Sequence, residues 1–314
     1  MIVKETASEV IETAIDFQCG DSRLYGVLHQ TSLQAETGLL MVHGRPSYRV
    51  GGHRVFVQLA RTWAAGGYPT FRFDYRGTGD CEGTHSTLDE TAKDIAAAMD
   101  AFFVAFPEMK RVVLWASCAG AADGILYASQ DARVAGLALI NPFSYDVKRR
   151  AQRRIRHYAN LYYRRVTHRD WWTHALRGNL SVRGRLQASW QMVLEAAGLR
   201  TPLEPSRTEA SSFVRGQTAS ARRGFLSYRQ PNIIDRLYAS LCKFRGPVML
   251  VLSGGDSSAQ TFTDLLKASA KWKALMTRAE VRRHDLPGAD HSFRRSEWRD
   301  QVAQWTLSWL ADIR

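Results

Sequence analysis

RVVLWASCAGAAD, residues 111–123, decides how the rest of the chain is read. Five residues suited to a buried strand, Val112 to Ala116, run into Ser117-Cys118-Ala119-Gly120, and small residues then open a helix. A strand turning this sharply into a helix follows the pattern G-x-S-x-G, whose outer positions must be small because larger side chains would strike neighbouring elements. Ala116 and Gly120 fill those positions when Cys118 is the centre. Centring the turn on Ser117 instead would put Trp115 where little more than a methyl group is tolerated, so the spacing selects Cys118. The helix that follows presents its free N–H groups and positive dipole end to the side chain, which suits a negatively charged sulfur. On this stretch alone, a buried cysteine packed behind a strand stands as the competing reading.

The whole chain has 314 residues, 45% of them hydrophobic, enough for one large α/β domain with an insertion. No stretch approaches the roughly 18 apolar residues of a membrane span, and MIVKETASEVIE has neither the basic start nor the apolar run of a signal peptide. Cys19, Cys81, Cys118 and Cys242 are scattered without C-x-x-C spacing, against a zinc site or a disulfide scaffold. The expectation is a soluble cytoplasmic protein without metal or cofactor. The net charge of +13 is uneven: Phe143 to Arg245 carries 21 Lys and Arg against 6 Asp and Glu, and the remainder is close to neutral. No nucleic-acid reading motif accompanies that basic region, which disfavours a nucleic-acid partner.

Taken in order, Ile11–Phe17 and Arg23–Gln30 read as a hairpin around Cys19-Gly20-Asp21, and Thr37–Val42 as a strand buried on both faces. That strand ends in His43-Gly44-Arg45-Pro46, and an apolar stripe predicts a helix over His53–Gly66. Pro69–Tyr75 is a further strand, followed by the glycine-rich loop Arg76–Gly83. This loop lacks the G-K-[ST] ending of a phosphate cradle and leads into no immediate helix. Thr87-x-x-Glu90 reads as a capping box opening the next helix. After the strand Val134–Ile140 the alternation stops. Residues 143–230 hold clustered arginines and aromatics at largely helical spacing, with a Gly, Pro and Ser-rich stretch from Gly198, which predicts an inserted helical cap. The alternation resumes with a helix over Pro231–Phe244, a strand over Pro247–Leu252, a helix from about Thr261 to Met276, a strand over Glu280–Leu286 and a final helix over Ser296–Ile313. The fold class is α/β: a doubly wound, mostly parallel sheet built from 1–142 and 231–314.

Two of the later strands end in Ser253-Gly254-Gly255-Asp256 and Pro287-Gly288-Ala289-Asp290-His291-Ser292. Catalytic groups gather at the carboxyl ends of strands in open α/β sheets. Cys118, Asp256 and His291 all stand there, in the order nucleophile, acid, histidine. Singly, Asp256 reads as a turn former and His291 as a loop residue; jointly they read as a triad. Asp290 and Asp146 are lesser rivals for the acid. On these residues the chain resembles the α/β-hydrolase superfamily. His43-Gly44 is similar to its H-G motif, which implies oxyanion N–H groups from Arg45 and Ala119. Asp74-Tyr75-Arg76-Gly77-Thr78-Gly79 is similar to its structural D-x-R-G-x-G loop. Pro46 to Phe56, FRFDYRGTGD and GADHSF resemble more narrowly the hydrolases associated with exosortase loci in bacterial exopolysaccharide clusters. The chain departs from the superfamily in Cys118, for the usual serine, and in Ala116, for the usual glycine.

The resemblance implies an acyl ester or thioester hydrolase or acyltransferase working through an acyl-thioester, and a thioester leaves transfer to amines and thiols open. The alternative is a hydrolase fold retained as an inactive binding or scaffold protein. Positive charge beside a cleft concentrates anionic ligands, so the cap's arginines imply an acyl-CoA, an acyl carrier protein or an acidic saccharide as donor; a merely solvated arginine face is the other reading. Arg149, Arg150, Arg153, Arg154 and Arg156 are the densest cluster. Reversing Arg149 and Arg150 to Glu is expected to raise KM for an acyl-CoA while sparing a small neutral ester. Equal loss on both, or on neither, in steady-state assays removes the charge from substrate recognition.

Overall fold

The computed structural model describes residues 9–32, 36–44, 47–142 and 233–313. Expectations for the cap 143–230, including Asp146 and the arginine cluster, lie outside these residues, as do Arg45 and Pro46. Eight strands form one sheet, in the order β1-β2-β4-β3-β5-β6-β7-β8. β1 (Ile11–Cys19) and β2 (Ser22–Gln30) form an antiparallel hairpin, and β2 runs antiparallel to β4 (Thr70–Phe73). All other pairings are parallel, through β3 (Thr37–Val42), β5 (Arg111–Ser117), β6 (Val134–Ile140), β7 (Val248–Ser253) and β8 (Val281–Leu286). β3, β4 and β7 are buried throughout, which explains why β3 and β7 run almost wholly apolar without alternation.

Helices cover both faces. α1 (Val55–Ala65) and the last helix, α7 (Ser296–Ala311), share one face, where Trp63, Trp309 and Val302 pack against Leu39, Met41, Val113 and Trp115. α2 (Thr91–Ala105), α3 (Gly120–Ala128) and α4 (Ile233–Lys243) pack together on the other face. Because side chains alternate along β5, Trp115 points away from α3 into the α1 layer. Its ring lies 5.3 Å from Trp63 and 6.0 Å from Phe56. Ala116 faces the other way, so close to Gly124 of α3 that a Cβ there would stand 2.9 Å from the alanine methyl.

Several boundaries differ from the sequence reading, each for a local reason. The helix expected from His53 begins at Val55, because His53 and Arg54 adopt left-handed φ of 53° and 59° behind a short 3-10 turn. The helix expected from Thr87 begins at Thr91: Glu90 does return its carboxylate to the Thr87 N–H at 2.7 Å, but the Thr87 hydroxyl donates to that same carboxylate, and the box closes a turn ahead of the helix. The single helix expected over 261–276 is two, α5 (Ser257–Ala268) and α6 (Ala270–Met276), separated by an extended Ser269. The break lets Trp272 bury against Phe262 and Tyr238 at 6.0 and 5.6 Å.

Trp115 is one of three buried tryptophans in the layer beneath the Cys118 turn, with Trp63 and Trp309. Replacing Trp115 by Ala is expected to cost about 3–5 kcal/mol, the usual range for a buried tryptophan, measured as a lowered urea midpoint. A loss below about 1 kcal/mol would show that this layer repacks without it.

Candidate active site

β3 marks the point where the winding of the sheet reverses, since β4 is laid down on one side of it and β5 on the other. Ligands of open α/β sheets bind at such a point. Here β3 and β5 exit side by side, in the register Val42 opposite Ala116. Cys118 follows at the apex of the β5–α3 turn with a left-handed φ of 54°, a conformation that costs a non-glycine residue energy and is held by its surroundings. Its N–H donates to the Ile140 carbonyl at 2.9 Å, and its own carbonyl accepts from Ala121 N–H at 3.2 Å. Gly120 has no room for a side chain: a Cβ would lie 2.5 Å from the Val42 carbonyl oxygen and 2.6 Å from the His43 carbonyl carbon. Ser117, the rival centre, remains in the ladder as the last β5 residue, opposite Ile140.

The other two predicted residues come to the same end of the sheet. Asp256 is buried and is the N-cap of α5, where its oxygens accept from Ser258 N–H at 3.0 Å and Ala259 N–H at 3.1 Å. These bonds aim one oxygen at His291, whose Nδ1 lies 2.9 Å away. The Cys118 side chain acts on the same imidazole and favours its protonated form. One edge of the ring stays open, 47% of the side chain being accessible. Enough protein surrounds it for burial to favour the neutral form, but the hydrogen bonds and negative charges of Asp256 and Cys118 outweigh this and hold the imidazole above its ordinary 6.5. The two rival acids drop away differently. Asp290 is spent on its own loop, accepting from Ser292 and Arg294 N–H and pairing with the Arg294 guanidinium at 2.9 Å, and Asp146 is outside the described residues.

Of the two expected oxyanion donors, Arg45 is outside the described residues and Ala119 opens α3 beside Cys118. Gly44 packs on that first turn: a Cβ on it would meet the Ala119 nitrogen at 2.8 Å. Behind it, His43 is buried and its Nε2 faces two acceptors, the Phe73 carbonyl at 3.0 Å and Asp74 at 3.3 Å, so that nitrogen carries the proton. The fully buried Asp74 also takes Arg49 through its backbone N–H and its guanidinium, and Arg72 donates to the Arg49 carbonyl at 2.6 Å. The stretch that leaves β3 is therefore tied to the D-x-R-G loop by charge. Sequence reasoning missed Arg49, Arg72 and Asn141, since an arginine on a strand or an asparagine after one carries no signal until its neighbours are known.

Among the described residues no group of His, Cys, Asp and Glu could hold a metal ion, and no helix is long and apolar enough to cross a membrane. A mostly parallel eight-stranded sheet with a strained turn after β5 and an acid and a histidine after β7 and β8 defines the α/β-hydrolase architecture. A sequence profile of the Alpha/beta hydrolase family matches residues 39–305, and the chain belongs to that family. None of the curated proteins matches it. Among solved structures, it is similar to an esterase of Pyrococcus furiosus at 14% identity and a TM-score of 0.60, covering 98% of this chain and 92% of that one. It is also similar to Est1E of Butyrivibrio proteoclasticus, solved with ferulic acid bound, at 14% identity and a TM-score of 0.61, covering 95% and 98%. A thermostable carboxyl esterase of Bacillus coagulans, in complex with glycerol, gives 14% and 0.61 over 97% and 99%. At these identities the likeness is one of fold.

The contact between His291 and Cys118 sets a pH dependence. A group whose folded value is raised contributes stability in full below its unfolded value, here near 6.5, and loses it as the pH climbs through the folded value. Cys118→Ala removes two of the causes that raise His291, so the imidazole's NMR titration midpoint is expected to fall relative to the wild type. An unchanged midpoint would mean that sulfur and imidazole do not interact.

Proposed function

We propose that the protein is an acyl ester or thioester hydrolase, or an acyltransferase, with Cys118 as nucleophile, His291 as acid and base, and Asp256 as the group that orients His291. The observation carrying this reading is that His291 lies 2.9 Å from the buried Asp256 and has its pKa raised by both Asp256 and Cys118, a residue at a left-handed turn. The sulfur, as thiolate, attacks the acyl carbonyl carbon; the carbonyl π electrons move to oxygen, where Ala119 N–H and Arg45 N–H supply hydrogen bonds. Collapse breaks the bond to the leaving oxygen or sulfur, which takes the proton from His291. Acylation consumes the negative charge on Cys118, one of the causes that hold His291 protonated. The imidazole is then poised to accept a proton from water, or from an acceptor amine, thiol or alcohol, which attacks the thioester and releases Cys118.

The arginine-rich sequence of the cap supports an anionic donor: an acyl-CoA, an acyl carrier protein or an acidic saccharide. The narrower resemblance to exosortase-associated hydrolases supports the saccharide setting without naming an acyl group.

Two measurements test the mechanism. Iodoacetamide followed by peptide mapping is expected to modify Cys118 ahead of Cys19 and Cys81, whose thiols burial pushes up to about 11 and about 12. On a panel of short and long acyl esters and thioesters, Cys118→Ala is expected to lower kcat by at least about 10³-fold with folding intact, because an alanine suits the turn. Full turnover in that variant ends the covalent mechanism. A blank panel with an unreactive Cys118 in the wild type favours the binding or scaffold reading instead.

A further inference from the structure

Asn141 is the first residue past β6 and lies between the elements that carry all three proposed catalytic groups. Its neighbour Ile140 accepts the Cys118 N–H at 2.9 Å, and its own N–H donates to the Val251 carbonyl of β7 at 2.9 Å. The buried side chain then reaches two loops at once. Its Oδ1 accepts the Ser253 N–H at 2.8 Å, which fixes the amide orientation, and its Nδ2 donates to Ser253 Oγ at 3.0 Å and, at a longer 3.4 Å, to the backbone carbonyl of His291. Ser253 opens the turn that ends in Asp256, and that turn is further clamped to the histidine loop by Gly254 N–H on the Leu286 carbonyl and Gly255 N–H on the Ala289 carbonyl. Those clamps join the two loops to each other. Asn141 joins both to the strand beside the nucleophile.

The backbone of Asn141 is left-handed, with φ of 47°. Asparagine tolerates that conformation better than most residues with a side chain, and glycine tolerates it fully. Aspartate would fit the shape, accept from both Ser253 donors and lack any proton for the His291 carbonyl.

Resting on the triad reading above, we propose that Asn141 is a positioning residue: its carboxamide sets where the histidine loop stands relative to Cys118 by holding the His291 carbonyl and the start of the acid turn to the end of β6. It touches no substrate in this role. Displacement of a catalytic group by about 1 Å costs on the order of 10²-fold in rate, so loss of one part of this tether is expected to cost about tenfold.

The test uses the full chain with p-nitrophenyl acetate as ester and iodoacetamide as thiol probe. Asn141→Gly removes the carboxamide without straining the backbone; Asn141→Asp keeps the shape and the bond from Ser253 N–H, but puts a buried carboxylate oxygen in place of the amide that donates to Ser253 Oγ and to the His291 carbonyl. Both variants are expected to lower kcat about tenfold with KM within about twofold of wild type. Asn141→Gly, which adds no charge, is also expected to shift the pH profile of Cys118 alkylation, which a purely structural defect would leave in place. Wild-type kcat and alkylation profile in either variant overturn the proposal, as does a loss confined to thermal stability. If Asn141→Gly fails to fold, the comparison of Asn141→Asp with wild type decides alone. A wild type inert to both probes sinks the triad reading and this inference with it, whereas an active wild type with an equally active Asn141→Asp sinks only this one.

Discussion

Everything at the carboxyl end of the sheet depends on how closely the turn at Cys118 packs against the exit of β3. The Gly120 backbone sits where a methyl group would overlap the Val42 and His43 carbonyls, and Gly44 leans on the Ala119 nitrogen from the other side. Two chain segments without side chains thus approach to backbone contact. That closeness places the peptide following Cys118 beside Gly44, where the chain leaves β3. It also accounts for Ala116, whose methyl already crowds Gly124 of α3. The left-handed backbone of Cys118 follows, because a chain passing so tightly from strand to helix must reverse within one residue.

Around this contact, buried carboxylates act as anchors. Asp74 gathers His43, Arg49 and through it Arg72; Asp94 gathers Arg76, Ser86 and the Cys19 thiol; Asp256 gathers the first turn of α5 and His291. A carboxylate taken out of water must be met by several donors, and each of these carboxylates ties together more than one stretch of chain. Loops that would otherwise be mobile are thereby pinned by charge, while apolar packing of Trp63, Trp115 and their neighbours fixes the layers below.

Much of this could be read from residue patterns. The all-apolar strands, the small positions flanking Cys118, and the order Cys118, Asp256, His291 all reflect short-range rules of size and periodicity. The misreadings turn on backbone angles and side-chain contacts that residue type and periodicity do not carry. His53 and Arg54 look helical until the backbone is seen to take left-handed angles there, and Ser269 looks like helix interior until Trp272 finds Phe262. Arg49, Arg72 and Asn141 bond to groups 23 to 150 positions away, and although Arg49 and Arg72 lie in stretches that carry the narrower resemblance, nothing local shows what they bond to. The Cys118 turn was legible for the opposite reason: its constraint is steric and lies within five residues.

Asp256 holds α5 by its cap and His291 by its charge, so under the proposed mechanism one carboxylate would answer to folding and to chemistry at once. A lineage that stopped catalysing would still be under selection to keep it, since the cap remains useful after the histidine is not. The His291 side chain has no such second employment: it is half open, and the bond that Asn141 makes to that position uses a backbone carbonyl any residue would supply. Among descendants of this fold, then, retention of the acid says little about whether the chemistry survives. The imidazole is the residue whose loss would record its disappearance.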